Sequence, residues 1–195
     1  MFDRLRRISA PAENPVALSE VKQRLRIDIN DADEDADIEM MIADAVARID
    51  GPHGVGIAMV SQQWELRLDY FPYIIELPLY PVISVDSITY VDGNGTEQTV
   101  AAVDYQTDIY SNPARIKPAY AHTWPTPRAD LATVKVTFTA GYGAAADVPA
   151  DLKQAILLTI GHAYAHRESV TMGNPEVLPE GAQSILNRYI AGQMA

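Results

Sequence analysis

The chain contains no cysteine among its 195 residues. That excludes a disulfide framework and a thiolate nucleophile, and a zinc site would have to be built from histidine and carboxylate alone. Positive charge is also scarce: 15 lysines and arginines face 26 aspartates and glutamates, a net charge of -11. Such a balance repels a nucleic-acid backbone, which argues against a DNA-gripping surface but not against a surface past which DNA slides. No segment approaches the ~20 apolar residues of a membrane span. The opening "MFDRLRRISAPAENP" has arginines with no apolar stretch behind them, so a soluble, unprocessed chain is expected. Internal repeats and low-complexity tracts are missing as well.

What is present is an ordinary globular composition, 48% hydrophobic and 21% charged, long enough to bury a real core. One domain, or one domain carrying an insertion, is the expectation. "LSEVKQRLRI" sets Leu18, Val21 and Leu25 on one helical face, with Ser19 as its expected cap. After a dense acidic stretch, Ile38, Met41, Ile42, Ala45, Val46 and Ile49 follow three-four spacing up to Gly51-Pro52.

From Ser61 the period becomes two: Trp64, Leu66 and Leu68 alternate with Glu65, Arg67 and Asp69, and Val85, Ser87 and Thr89 with Asp86, Ile88 and Tyr90. Asp92-Gly93-Asn94-Gly95 between two such runs predicts a tight hairpin. Pro72, Pro78 and Pro81 make "FPYIIELPLYPV" an edge strand with corners. "RIKPAY" and "TVKVTFTAGYG" complete the strand-rich middle. Helical spacing returns in the largely apolar "PADLKQAILLTIGHAYAHRE" and ends in "EGAQSILNRYIAG". The predicted class is α+β: a small helical bundle, its helices near both termini, with an inserted antiparallel β region. Its divisions are a flexible arm over 1–15, a helical core over 16–56 and 148–195, and a β-rich insertion over 57–147.

Four features invite a chemical reading. Gly141, Gly143 and Ala146 spell G-x-G-x-x-A, the outline of a dinucleotide loop. Five residues separate Gly143 from Pro149, which fits the first turn of the next helix with Asp147 just before it. A pyrophosphate cradle needs its glycines at that turn, so the segment reads as a joint and a candidate hinge at Gly141 and Gly143. Asp31, Asp33, Asp35 and Asp37 occupy the first four ligand positions of a calcium loop. Ala36 stands where glycine must make the turn, and Ile42 where the bidentate glutamate belongs, which leaves carboxylates favoured by a helix N-terminus.

His162 and His166 lie one helical turn apart, a zinc-compatible spacing. Ala163 occupies the general-base position of the metalloprotease pattern, and Glu168 points off the shared face. With Thr159 they form a polar stripe suited to the edge of the buried surface or to a subunit contact. Trp64, Tyr70, Tyr73, Tyr80, Trp124 and Tyr142 could build a stacking face for a sugar or base, but strand packing uses the same residue types. No G-x-S-x-G elbow occurs. Catalytic, cofactor and metal sites are therefore none, and a carbohydrate-like β module flanked by helices is the runner-up reading.

The order of segments, and the phrases "LSEVKQRLRID", "SQQWELRLDYFP", "IELPLYPVISVDSITYVDGNGTEQTV", "DYQTDIYSNPARIKPAYAHTWP" and above all "VTFTAGYGAAADVPADLKQAILLTIGHAYAHRE", resemble the head-tail connector, or adaptor, proteins of long-tailed bacteriophages, prophages and gene transfer agents. The resemblance covers nearly the whole chain apart from "MFDRLRRISA". It implies a non-enzymatic virion protein without cofactors, made in the bacterial cytoplasm and placed at the head-tail junction of a phage-like particle. It implies binding to the portal of a DNA-filled capsid, a ring of copies of itself, a platform for the next neck or tail-completion protein, DNA only as passing cargo, and no membrane. By the same analogy Leu186, Tyr189 and Ile190 are candidate portal contacts; with His162 and His166, named for their polar stripe, they make up the candidate portal and subunit interface.

Overall fold

A computed structural model describes residues 4–166 and 178–193. Residues 1–3 and 194–195, Glu168 and most of the loop before the last helix lie outside the described residues.

Two apolar periods build two cores. The 3.6-residue period gives α1 (Leu18–Leu25), α2 (Asp35–Ile49), α3 (Ala150–Ala165) and α4 (Glu180–Gln193). Val21 from α1, Ile38, Ile42, Ala45 and Ile49 from α2, Leu152, Ala155, Ile156 and Ile160 from α3, and Ala182 and Leu186 from α4 close one helical core. The helices near both ends of the chain thus pack together, and the β region is inserted between them.

The two-residue period gives β1 (Leu5–Ser9), β2 (Gln62–Leu68), β3 (Ile75–Leu77), β4 (Val82–Val91), β5 (Glu97–Thr99), β6 (Tyr105–Asp108), β7 (Ala114–Pro118) and β8 (Val134–Ala140). They form two antiparallel sheets, in the order β1-β2-β8-β4-β5 and β3-β7-β6. Trp64, Leu66, Ile88, Val136 and Phe138 of the larger sheet meet Ile75, Leu77, Ala114 and Ile116 of the smaller one. β3 is an edge strand, as its prolines required. The hairpin at 92–95 is present, with Gly95 at φ +85 and the Asp92 carboxylate accepting from the N–H groups of Asn94 and Thr96.

Four local expectations are corrected. Residues 5–9, expected within a flexible arm, pair with β2 as a sheet edge, with Leu5 opposite Leu66. Ser19 is already inside α1; the cap position is Ala17, whose N–H donates to the Glu20 carboxylate at 2.7 Å. α3 begins at Ala150, so Pro149 precedes the helix instead of opening it. In β4 a bulge between Val85 and Ser87 breaks the strict alternation, so Val85 packs against the same core as Ile88 and Tyr90.

Candidate functional site

The Gly141–Gly143 segment joins the two cores. Residues 57–60 divide between them, Ile57, Met59 and Val60 entering the helical core and Ala58 the β core. Three backbone hydrogen bonds fasten the returning chain to this stretch and its surroundings. The Gly141 N–H donates to the Pro81 carbonyl (2.9 Å), the Tyr142 N–H to Met59 (2.9 Å), and the Ser61 N–H to Gly143 (2.8 Å). Gly141 and Gly143 have φ +134 and +126, open to glycine almost alone. A Cβ on Gly141 would stand 2.7 Å from backbone atoms of Val60 and Ser61. The Asp147 carboxylate accepts from the Ala144 N–H at 2.9 Å and the Glu13 carboxylate from the Ala145 N–H at 2.8 Å.

Asp50 sits at the same junction, closing α2. Its carboxylate accepts the Met59 N–H at 2.7 Å and the Gln62 amide at 2.9 Å, and Gln62 in turn accepts from Arg7 at 3.4 Å. Burial raises the Asp50 pKa above the usual carboxylate value, against the opposing pull of Gln62, Met59 and the Arg7 charge.

The acidic stretch surrounds a cation from the chain itself. Lys22, only 3% exposed, extends from α1, pairs with Asp35 and donates to the Asp31 carbonyl at 2.6 Å. An ammonium thus stands among groups that the partial calcium spelling suggested for a metal. Among the described residues there is no group of three or more histidines, aspartates and glutamates able to hold a metal ion.

The stripe on α3 divides. Thr159 turns inward and its hydroxyl donates to the Ala155 carbonyl at 2.9 Å, whereas His162 and His166 are exposed at the helix end. Their ring centroids are 4.4 Å apart, and His166 Nδ1 lies 2.9 Å from the His162 carbonyl, which only accepts, so Nδ1 carries the proton.

On α4 the three named contacts separate. Leu186 is buried in the chain's own core, which withdraws it from direct contact with a partner; Tyr189 and Ile190 are half-buried. The Tyr189 hydroxyl donates to the Asp151 carboxylate at 2.6 Å, with Arg188 at 3.3 Å, tying α4 to the first turn of α3. Burial, then Asp151, raise the Tyr189 pKa, and burial pushes Tyr142 up to about 12. For a stacking platform, Trp64 is core with Arg7 over its ring at 5.8 Å, and Trp124 is stacked on Phe71 at 4.9 Å, its indole N–H donating to the Tyr73 carbonyl. Trp64 thus offers no free face, and Trp124 has one face covered by Phe71.

No protein-family model matches the chain, and no curated protein matches it significantly. Solved structures do. A chain from a structure described as the neck of an empty GTA particle, computed with C6 symmetry, is 27% identical with a TM-score of 0.75, over 95% of this chain and 94% of that one. This chain is built like one from the neck of a gene transfer agent particle. A chain from the virion of a native gene transfer agent particle is 25% identical at TM-score 0.70, covering 95% and 94% of the two chains. A third, from a native GTA neck computed with C12 symmetry, shares the fold at TM-score 0.68 and 24% identity, over 95% and 93%. The resemblance to head-tail connectors read from the sequence is therefore borne out, and the shared neck fold spans both cores. Among the described residues no helix is long and apolar enough to cross a membrane.

Sequence reasoning missed Lys22, Asp50, Gln62 and Asp151 as organising groups. A signal existed for Lys22 alone: it lies four residues after Leu18 and three before Leu25, on the apolar face.

Proposed function

We propose that this chain is a structural head-tail connector in a virion or phage-like particle, assembled in the bacterial cytoplasm. The observation that carries the reading is the likeness to a neck chain over 95% of its own length and 94% of that chain. Copies form a ring on the portal of a filled capsid and offer a platform to the next neck or tail-completion protein. DNA passes through the channel without being held, consistent with a net charge of -11. The role requires interfaces and no catalysis, cofactor or metal.

For contacts, Ile190 and the accessible edge of Tyr189 are the α4 residues assigned to the portal, and exposed His162 and His166 are assigned to a neighbouring copy. The helical core of 16–56 and 148–195 and the insertion of 57–147 act as two units whose relative setting is fixed at Gly141 and Gly143. The test is electron microscopy of the protein mixed with its cognate portal. Added ring density at the portal's outer face supports the assignment, and a bare portal under saturating protein removes it.

A further inference from the structure

Among the described residues, the five-stranded sheet ends in two strands, β1 and β5, that each pair on one side only. Four antiparallel steps separate them, so they run in the same direction at opposite sides of the sheet. Both are exposed, β1 over Arg6 to Ser9 and β5 throughout. Along β5 the Val100 N–H donates inward to Ile88 (2.8 Å) and Thr96 accepts from the Asp92 N–H (2.9 Å). By the alternation of an antiparallel ladder, Glu97 and Thr99 turn their N–H and C=O groups outward. An edge of this kind is a template for another strand.

The two edges carry opposite charge. β1, "LRRIS", has two arginines and no acid, in a chain that is otherwise acidic; β5, "EQT", has a glutamate and no base, with Asp92 in the adjoining hairpin. Both charges occupy the same face. Arg6 is in register with Glu65, which alternates with the buried Trp64 and Leu66, so Arg6 lies on the outer, polar face. Glu97 accepts from Thr89 and from Lys135, which alternates with buried Val134 and Val136, so it lies there too.

We infer that copies of this chain join edge to edge, β1 of one beside β5 of the next, in parallel, with Arg6 and Glu97 brought together on the outer face. The inference rests on the neck reading: a closed ring needs a heterologous contact between two different patches of one chain. A sixfold axis, the symmetry with which the neck holding the 27% identical chain was computed, turns each copy by about 60°. Parallel pairing of β1 and β5 is met where their strands run close to that axis, since the rotation then leaves the strand direction unchanged. A twofold dimer through β1 would instead oppose arginines to arginines, which cross-strand pairing disfavours.

Because the chain has no cysteine, the contact is tested by the full-length Arg6→Cys/Thr99→Cys double variant and each single variant. Folding is checked by thermal melting. Each sample is mixed at saturating concentration with the cognate portal, treated with a short bismaleimide, run on a denaturing gel and imaged by electron microscopy. Covalent ladders of many copies from the double variant, and none from either single, are the expected result. Rings that assemble without ladders overturn the edge contact and leave the ring standing. Dimers from Arg6→Cys alone show a twofold β1 contact and also overturn it. No ring on the cognate portal under saturating protein overturns both. As a second variant set, Arg6→Glu is expected to raise the concentration needed for assembly at least tenfold and Arg6→Glu/Glu97→Arg to restore it; an unchanged requirement in Arg6→Glu overturns the charge pairing.

Discussion

Replacing Gly141 by alanine inserts one methyl group where the two cores are fastened. Its φ of +134 is a region alanine enters only under strain of about 1–3 kcal/mol. The new Cβ would also lie 2.7 Å from Val60 C and O and from Ser61 N. These are backbone atoms held by the Met59–Tyr142 and Ser61–Gly143 hydrogen bonds, so they cannot yield as a side chain would. Overpacking of that kind adds roughly 1–3 kcal/mol. The expected total is about 2–6 kcal/mol, a large share of the ~5–15 kcal/mol typical of a folded protein. Gly143→Ala shares the backbone strain, but the atom its Cβ approaches most closely is an Asp147 carboxylate oxygen, at 2.6 Å, and that side chain can rotate away by giving up its bond to the Ala144 N–H. It should cost about 1–3 kcal/mol. Gly161→Ala, within α3 and with nothing within 4 Å of the new atom, should stabilise by about 0.5–1 kcal/mol. Urea unfolding of the three variants gives the comparison. If Gly141→Ala loses less than about 1 kcal/mol, or no more than Gly143→Ala, the close approach at the joint is not what requires glycine. Valine at Gly141 should act in the same sense and more strongly.

Other perturbations separate the remaining claims. Lys22→Met strands the Asp35 carboxylate and the Asp31 carbonyl; because Asp35 keeps 33% exposure, the loss in urea unfolding should be about 2–4 kcal/mol, below the usual cost of breaking a fully buried pair. Calcium should not restore it. Asp50 has a raised folded pKa, so the native state binds its proton more tightly, and its contribution to stability falls as pH rises from 3.8 through the folded value. Asp108 is lowered to about 2 by the Ser111 hydroxyl and Arg115, so its contribution is present above 3.8 and lost as pH falls toward 2. Unfolding midpoints across pH 2 to 7 (about that range) should therefore show opposite changes of slope in Asp50→Asn and Asp108→Asn, and parallel curves would contradict this. Leu186→Ala should cost about 2–5 kcal/mol by leaving a cavity in the helical core. Ile190→Glu should leave the melt nearly unchanged and weaken co-sedimentation with the portal; equal portal binding by Ile190→Glu and the parent chain would remove α4 from the contact.

The parts of the fold that were legible in the sequence are those where burial imposes a period. Ile38, Ile42, Ala45 and Ile49 had to share a face, as did Val134, Val136, Phe138 and Ala140, and the switch between the two periods marked the insertion. The glycine joint was legible because a nucleotide loop demands a helix N-terminus that the intervening residues deny it. What escaped depends on partners distant in the chain. "LRRIS" has no alternation of its own and becomes a strand because β2 offers it an edge. Lys22 is buried because Asp31 and Asp35 close over it, and Asp50 and Gln62 meet only once both cores have formed. For the candidate contacts, helical spacing placed Leu186, Tyr189 and Ile190 together. It could not say that Leu186 faces α3 while Tyr189 is held by Asp151. Interface residues and core residues share one apolar vocabulary, and only the packing partner tells them apart.

The most direct test of the central claim is a cryo-electron microscopy reconstruction of the particle that carries this chain. Copies of this fold are expected in a closed ring between the portal and the first tail component, helical core and sheets both fitting the density. A neck whose density is filled by other chains, with this one absent from the particle, would contradict it.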